Sequence, residues 1–141
     1  MTSDSQAPST IIRYGFLLAG AYNVGGILLF SQFFTNPLIS SLYPQVFSLV
    51  GMLGIMLWGL AYMAVSGCYA RVPALVAVFA LEKFLYVATW VYWLWARGSE
   101  LSEIAAESPM TALFYAVYGL GDLISAVFFI LVVLLVRRIQ N

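Results

Sequence analysis

Four long apolar stretches, over about residues 11–34, 46–66, 74–96 and 110–136, govern what this chain can fold into. A bilayer core of about 30 Å is crossed by about 20 helical residues, and each stretch reaches that length. Inside lipid the backbone must satisfy its own hydrogen bonds, so helices are the expected form. What remains is short: a connection over residues 35–45 with Pro37 and Pro44, a tight turn through Gly67, Cys68, Arg71 and Pro73, and an acidic connection from Arg97 to Pro109. Pro44, Pro73 and Pro109 fall at or just before span starts, where a missing N–H is harmless. The predicted fold is all-α: one integral membrane domain over residues 1–141, a four-transmembrane-helix bundle.

Composition agrees. The chain is 63% hydrophobic and 9% charged, against about 45–50% apolar and 25% charged in soluble domains, which excludes a water-soluble globule. Six Lys/Arg balance six Asp/Glu, so no electrostatic footprint for nucleic acid exists. A single cysteine cannot form an internal disulfide, and the absence of histidine removes the commonest general base and metal ligand. No metal and no cofactor is expected. The first stretch is longer than the 7–15 residues of a signal-peptide core and no Lys or Arg precedes it within residues 1–10; it is read as a retained helix.

Arg13, Arg71, Arg137 and Arg138 fall on one side of a four-span arrangement, and Arg97 on the other. Excess Lys/Arg marks the cytoplasmic face, so both termini are predicted inside (N-in/C-in). Trp90, Tyr92, Trp93 and Trp95 then lie at the outer end of the third span, as an aromatic belt. On the outer connection Glu100, Glu103 and Glu107 share one helical face, and Leu101, Ile104 and Ala105 another. A short helix with a solvated acidic face is the plainer reading, and a cation-collecting vestibule the sharper one.

Nine of the twelve charges, Asp4 and the five arginines included, sit at ends and connections; Glu82, Lys83 and Asp122 lie near mid-membrane, with Asn23 at similar depth. A charge at a helix centre costs about 2.5–3.5 kcal/mol on insertion, so the third span needs partners. Glu82 and Lys83 point about 100° apart and cannot pair with each other. Lys83 lies roughly 14 Å inside the cytoplasmic helix start, too deep for its stem to escape comfortably. Asp122, at matching depth on an antiparallel helix, is its natural partner. Tyr115, Tyr118, Gly119, Ser125 and Ala126 share Asp122's face. Gly51, Gly54 and Gly59 in the second span and Gly15, Ala19 and Gly25 in the first look like packing surfaces. Burial disfavours a lone charge, so Glu82 is expected to be neutral or to face a wet cavity, with Asn23, Tyr86 and Thr89 as its candidate partners.

The order of features resembles a family of small, uncharacterised bacterial integral membrane proteins with four helices. The resemblance rests on Tyr22-Asn23, Tyr43-Pro44, Gly51-Met52, Trp58-Gly59-Leu60-Ala61-Tyr62, Lys83 and Asp122-Leu123-Ile124. Members look like Gly-Lys in the third helix and Asn-Asp in the fourth, where this chain has Glu82-Lys83 and Gly121-Asp122. The resemblance implies a multi-pass protein of a bacterial inner membrane, with Lys83 and Asp122 part of the common scaffold and Glu82 an addition; it implies no activity. Other four-span families fit poorly. Small multidrug exporters carry an acid in the first helix, where Asn23 stands here, and quinone-linked thiol oxidoreductases need Cys-x-x-Cys.

Two functions remain. One is proton- or cation-linked transport or small-ligand binding at the cluster, for which Glu82→Gln abolishes a pH-dependent activity and a water-accessible cavity near Glu82 is required. The other is a structural or accessory subunit, a homo-oligomer or part of a larger membrane complex, with the charges as a packing lock. No nucleophile–base constellation points to an enzyme, Glu82 and Tyr86 being the nearest to one. Beyond these, the lipid bilayer is the one expected partner.

Overall fold

The computed structural model describes residues 9–140, so Asp4 lies outside the described residues. These residues form seven α-helices and two single 3₁₀ turns, with no strand among them. The helices are α1 (Thr10–Phe30), α2 (Pro37–Leu42), α3 (Pro44–Phe47), α4 (Leu49–Val65), α5 (Pro73–Arg97), α6 (Leu101–Glu107) and α7 (Pro109–Gln140). Three helical runs are long and apolar enough to cross a membrane: α1, the near-continuous stretch of α5 and α6, and α7. The apolar α4 is shorter, at 17 residues, or roughly 25 Å.

Two of the boundaries that differ from expectation do so for polar reasons. The first helix stops at Phe30, not Phe34, because Gln32, Phe33 and Phe34 take left-handed φ values of 51°, 55° and 68°. Such a conformation costs roughly 1–2 kcal/mol per non-glycine residue. Side chains offset it locally: Ser31 Oγ accepts from Phe34 N at 3.0 Å, and Asn36 Nδ2 donates to Phe30 O at 3.2 Å and to Thr111 Oγ1 at 2.9 Å. The second begins at Leu49, not Val46, because Ser48 Oγ caps Gly51 N at 3.1 Å, while Pro44–Phe47 forms its own turn. The third expected stretch matches α5 closely, and α7 outruns the fourth at its C-terminal end.

α1 packs along α4, and α5 along α7, with a lighter seam between α1 and α7 and with α6 lying on α7. The pairs are antiparallel: Gly20 meets Gly59 and Asn23 meets Ile55, while Phe79 meets Phe129 and Trp90 meets Tyr115. Ser9 N donates to Tyr69 Oη at 2.9 Å and Gln140 Nε2 to Ala70 O at 3.2 Å. The start of α1, the end of α7 and the turn between α4 and α5 therefore gather at one end. That end carries Arg13, Arg71, Arg137 and Arg138, and Arg97 lies at the other.

The fold is apolar outside and polar at its centre. Leu57, Leu81, Leu85, Ile124 and Leu131 are exposed, whereas Asn23, Glu82, Lys83 and Asp122 are buried. One apolar cluster around Phe16, Tyr62, Phe79 and Phe129 fills the arginine-rich end, and another around Phe47, Trp93, Tyr115 and Tyr118 fills the opposite one. The packing glycines are fewer than expected: Gly20 and Gly59 bring α1 and α4 into backbone contact and Gly15 receives Phe128, but a side chain on Gly25 or Gly54 would meet open space. The aromatic belt also divides. Tyr92 and Trp95 face outward while Trp93 is buried and Trp90 turns in to reach Tyr115 O at 3.1 Å, because residues about 100° apart cannot all share a face.

The acidic connection is a short helix on α7, with Ile104 buried and Glu103 and Glu107 exposed. Glu100 is held by Arg97 at 2.6 Å, and Arg97 also donates to Leu42 O. The three acids do not converge: one is neutralised, which favours the solvated-face reading over a vestibule.

Candidate functional site

The centre of the molecule is built on Lys83, midway along α5. Its Nζ donates to Asp122 Oδ1 on α7 at 2.6 Å and to Asn23 Oδ1 on α1 at 2.6 Å. Asn23 is fixed in turn by Nδ2 donating to Ile55 O on α4 at 3.0 Å. The chain from Ile55 through Asn23 and Lys83 to Asp122 thus touches all four long helices. The rings of Tyr62 and Tyr22 lie 5.3 and 5.9 Å from the ammonium, near enough for their π faces to stabilise the cation. Lys83 is 1% exposed and Asp122 6%; so buried a charge persists only when paired and hydrogen-bonded.

Glu82 leaves α5 in another direction. Tyr62 Oη on α4 donates to Glu82 Oε2, while Glu82 Oε1 is buried without a partner. None of its expected partners reaches it. Asn23 is committed to Lys83 and Ile55, and Thr89 Oγ1 donates to Tyr86 O at 2.8 Å and lies 3.2 Å from Tyr118 Oη. Tyr86 faces a cavity instead.

The other predicted neighbours of Asp122 separate by depth. Tyr118 lies one turn away and joins the cavity wall, its carbonyl accepting from Tyr22 Oη at 2.6 Å. Tyr115, two turns away, belongs to the far end: it donates to Ile39 O at 2.6 Å and stacks on Trp93. Ser125 is buried on the same face but makes no hydrogen bond to Asp122.

Sequence reasoning missed Tyr22 and Tyr62 as site residues. Tyr22 lies across α7 where Gly121 has no side chain; a Cβ there would sit 2.3 Å from the tyrosine ring. The available signal was that a buried acid and a buried cation each need a donor or a ring at the same depth on a neighbouring helix.

A cavity of about 320 Å³ opens beside the ion pair. Asn23, Lys83 and Asp122 form its polar side, with Tyr22 and Tyr86 beside them; Ile27, Phe47, Ile55 and Phe114 supply much of the apolar remainder. Val117 and Leu120 line it too and are 37% and 48% exposed, so it opens sideways between α1 and α7, onto the apolar exterior. Glu82 is not part of its wall. Among the described residues no group of three or more His, Cys, Asp or Glu side chains gathers to hold a metal ion. No family model matches the chain, and no curated protein or solved structure matches it.

Proposed function

We propose that this is a multi-pass protein of a bacterial inner membrane, with all four long helices spanning and both termini cytoplasmic, and that it binds a small, mostly apolar ligand entering from the bilayer. The carrying observation is the cavity: about 320 Å³, apolar over most of its wall, ending on the Lys83–Asp122 pair and open toward the lipid-facing side. That size falls in the range of small-molecule sites, about 300–1,000 Å³, and such sites join an apolar lining to a few polar groups. The grouping of Arg13, Arg71, Arg137 and Arg138 at one end supports the orientation. Transport linked to Glu82 has less support, because the cavity wall is formed by Lys83 and Asp122.

A second reading is favoured by one observation. Lys83, 1% exposed, bridges Asn23 and Asp122, which suits a packing lock in a structural or accessory subunit.

Gly26 separates the two. It lines the cavity, and a Cβ added there meets nothing within 4 Å, so Gly26→Leu adds its side chain in open space at the cavity wall and narrows the chamber. Native mass spectrometry of the full chain released from membranes is expected to find a small-molecule adduct on the wild type and none on Gly26→Leu. An adduct on both, or on neither, would count against the ligand-binding reading and leave the lock.

A further inference from the structure

Resting on that ligand-binding reading, we propose that the ligand is an uncharged, flat, conjugated carbonyl compound, a quinone-like ring whose oxygen docks against Lys83 and Tyr86. Three features of the wall select it.

The first is charge. The Lys83 ammonium and the Asp122 carboxylate cancel within the wall, and Glu82 does not line it. A carboxylate or ammonium on the ligand would enter an apolar chamber with no counter-charge to spare, and an unpaired buried charge is strongly disfavoured. The ligand is therefore neutral.

The second is hydrogen-bonding polarity. An ammonium has three donors; Asn23 Oδ1 and Asp122 Oδ1 take two, and one remains without an oxygen. Tyr86 lies three residues on along α5, on the same face of the helix, and lines the same cavity. Among the described residues its hydroxyl has no partner. The Tyr22 hydroxyl is already spent on Tyr118 O. Two uncommitted donors on one wall suit an acceptor oxygen on the ligand, which a carbonyl supplies, and Asp122 Oδ2, without a hydrogen bond among the described residues, offers one acceptor beside them.

The third is shape. The apolar wall combines aliphatic side chains with a group of aromatic rings. Phe114 and Tyr118 stack with centroids 5.3 Å apart, and Phe47 stands edge-on to both at 4.9 and 5.1 Å. Ring faces and edges set this way favour another flat ring over a flexible chain. Any apolar substituent on the ring can trail between Val117 and Leu120 into the surrounding lipid.

The test uses the full chain in lipid nanodiscs, with saturable binding measured above protein-free discs for three probes: menadione, 2-methylnaphthalene (the same skeleton without oxygens) and 2-naphthoate. Menadione is expected to bind tightest and 2-methylnaphthalene more than about tenfold more weakly, having lost the hydrogen bonds from both Lys83 and Tyr86; 2-naphthoate is expected not to bind. Tyr86→Phe is expected to weaken menadione about fivefold to tenfold while shifting 2-methylnaphthalene by less than about twofold, and Gly26→Leu to remove both. Equal affinity for menadione and 2-methylnaphthalene, indifference of menadione to Tyr86→Phe, or preference for 2-naphthoate would overturn the carbonyl assignment and leave a ligand site standing. No saturable binding of any probe, or binding unchanged in Gly26→Leu, would overturn the assignment together with the ligand-binding reading beneath it.

Discussion

The Lys83 ammonium lies 2.6 Å from Asp122 Oδ1 and 2.6 Å from Asn23 Oδ1, so a single side chain holds α5 to both α7 and α1. Removing one member of such a group leaves the others buried and unpaired. Lys83→Leu or Asp122→Leu alone is expected to destabilise the protein by roughly 3–5 kcal/mol. The double variant Lys83→Leu with Asp122→Leu is expected to be less damaged than either, because only the neutral Asn23 loses a partner. Unfolding of the purified proteins in detergent checks the order. A double variant no better than the worse single one would mean that the pair is not the dominant bond.

Tyr62 is fully buried and gives Glu82 its only hydrogen bond among the described residues. Tyr62→Phe keeps the ring that packs on Phe79 and Phe129 but strips the carboxyl of its donor, and is expected to cost about 1–3 kcal/mol. Glu82→Gln keeps an acceptor for Tyr62 and is expected to cost less. The same unfolding measurement distinguishes them; equal stability of Tyr62→Phe and wild type would show that the bond contributes nothing.

Two glycines of α4 should respond in opposite directions. A Cβ on Gly59 would stand 2.8 Å from both Asn23 Cβ and Gly20 O, whereas one on Gly54 meets nothing within 4 Å. Gly59→Ala must push α1 away and pull Asn23 off Lys83, an overpacking cost of about 1–3 kcal/mol. Gly54→Ala only removes backbone freedom from the unfolded chain and is expected to stabilise by about 0.5–1 kcal/mol. Melting temperatures of the two variants against wild type give the sign of each effect.

At the far end Arg97 joins three segments: it donates to Leu42 O at the end of α2, and to both Glu100 oxygens in the turn leading into α6. Its guanidinium also lies 5.9 Å from the Trp93 ring. Arg97→Met keeps much of the apolar stem and removes the donors. Hydrogen exchange over residues 98–107 is expected to quicken in this variant while exchange in α1 and α4 stays unchanged. Uniform quickening along the whole chain would show that Arg97 supports the entire fold and not this corner alone.

Depth along each helix was legible in the chain itself. Rise per residue is constant, so Lys83 and Asp122 could be matched by counting, and the structure joins them. The acidic helix, the proline-marked starts of α5 and α7 and the arginine-rich end were readable for the same reason: each is a matter of position along one axis. The helix ends at Phe30 and Leu49 were not, because Asn36 and Ser48 act through hydrogen bonds that need the turn geometry around them.

Rotation about each axis was decided only by packing. A one-residue step turns a side chain by about 100°, and several faces of α1, α4 and α7 carry small or polar residues, so the spacing alone allowed Asn23 to serve Glu82 as readily as Lys83. Close contact of Gly20 with Gly59 sets how α1 meets α4. In the resulting arrangement Asn23 reaches Lys83 and Tyr62 reaches Glu82. The lighter seam between α1 and α7 leaves the cavity that makes the ion pair a candidate site. By itself the sequence determined that a few charges would lie buried among apolar helices, because hydrophobicity and helical rise are properties of the chain. Which partners those charges found, and the chamber beside them, arose only where four helices met, because contact depends on all four rotations at once.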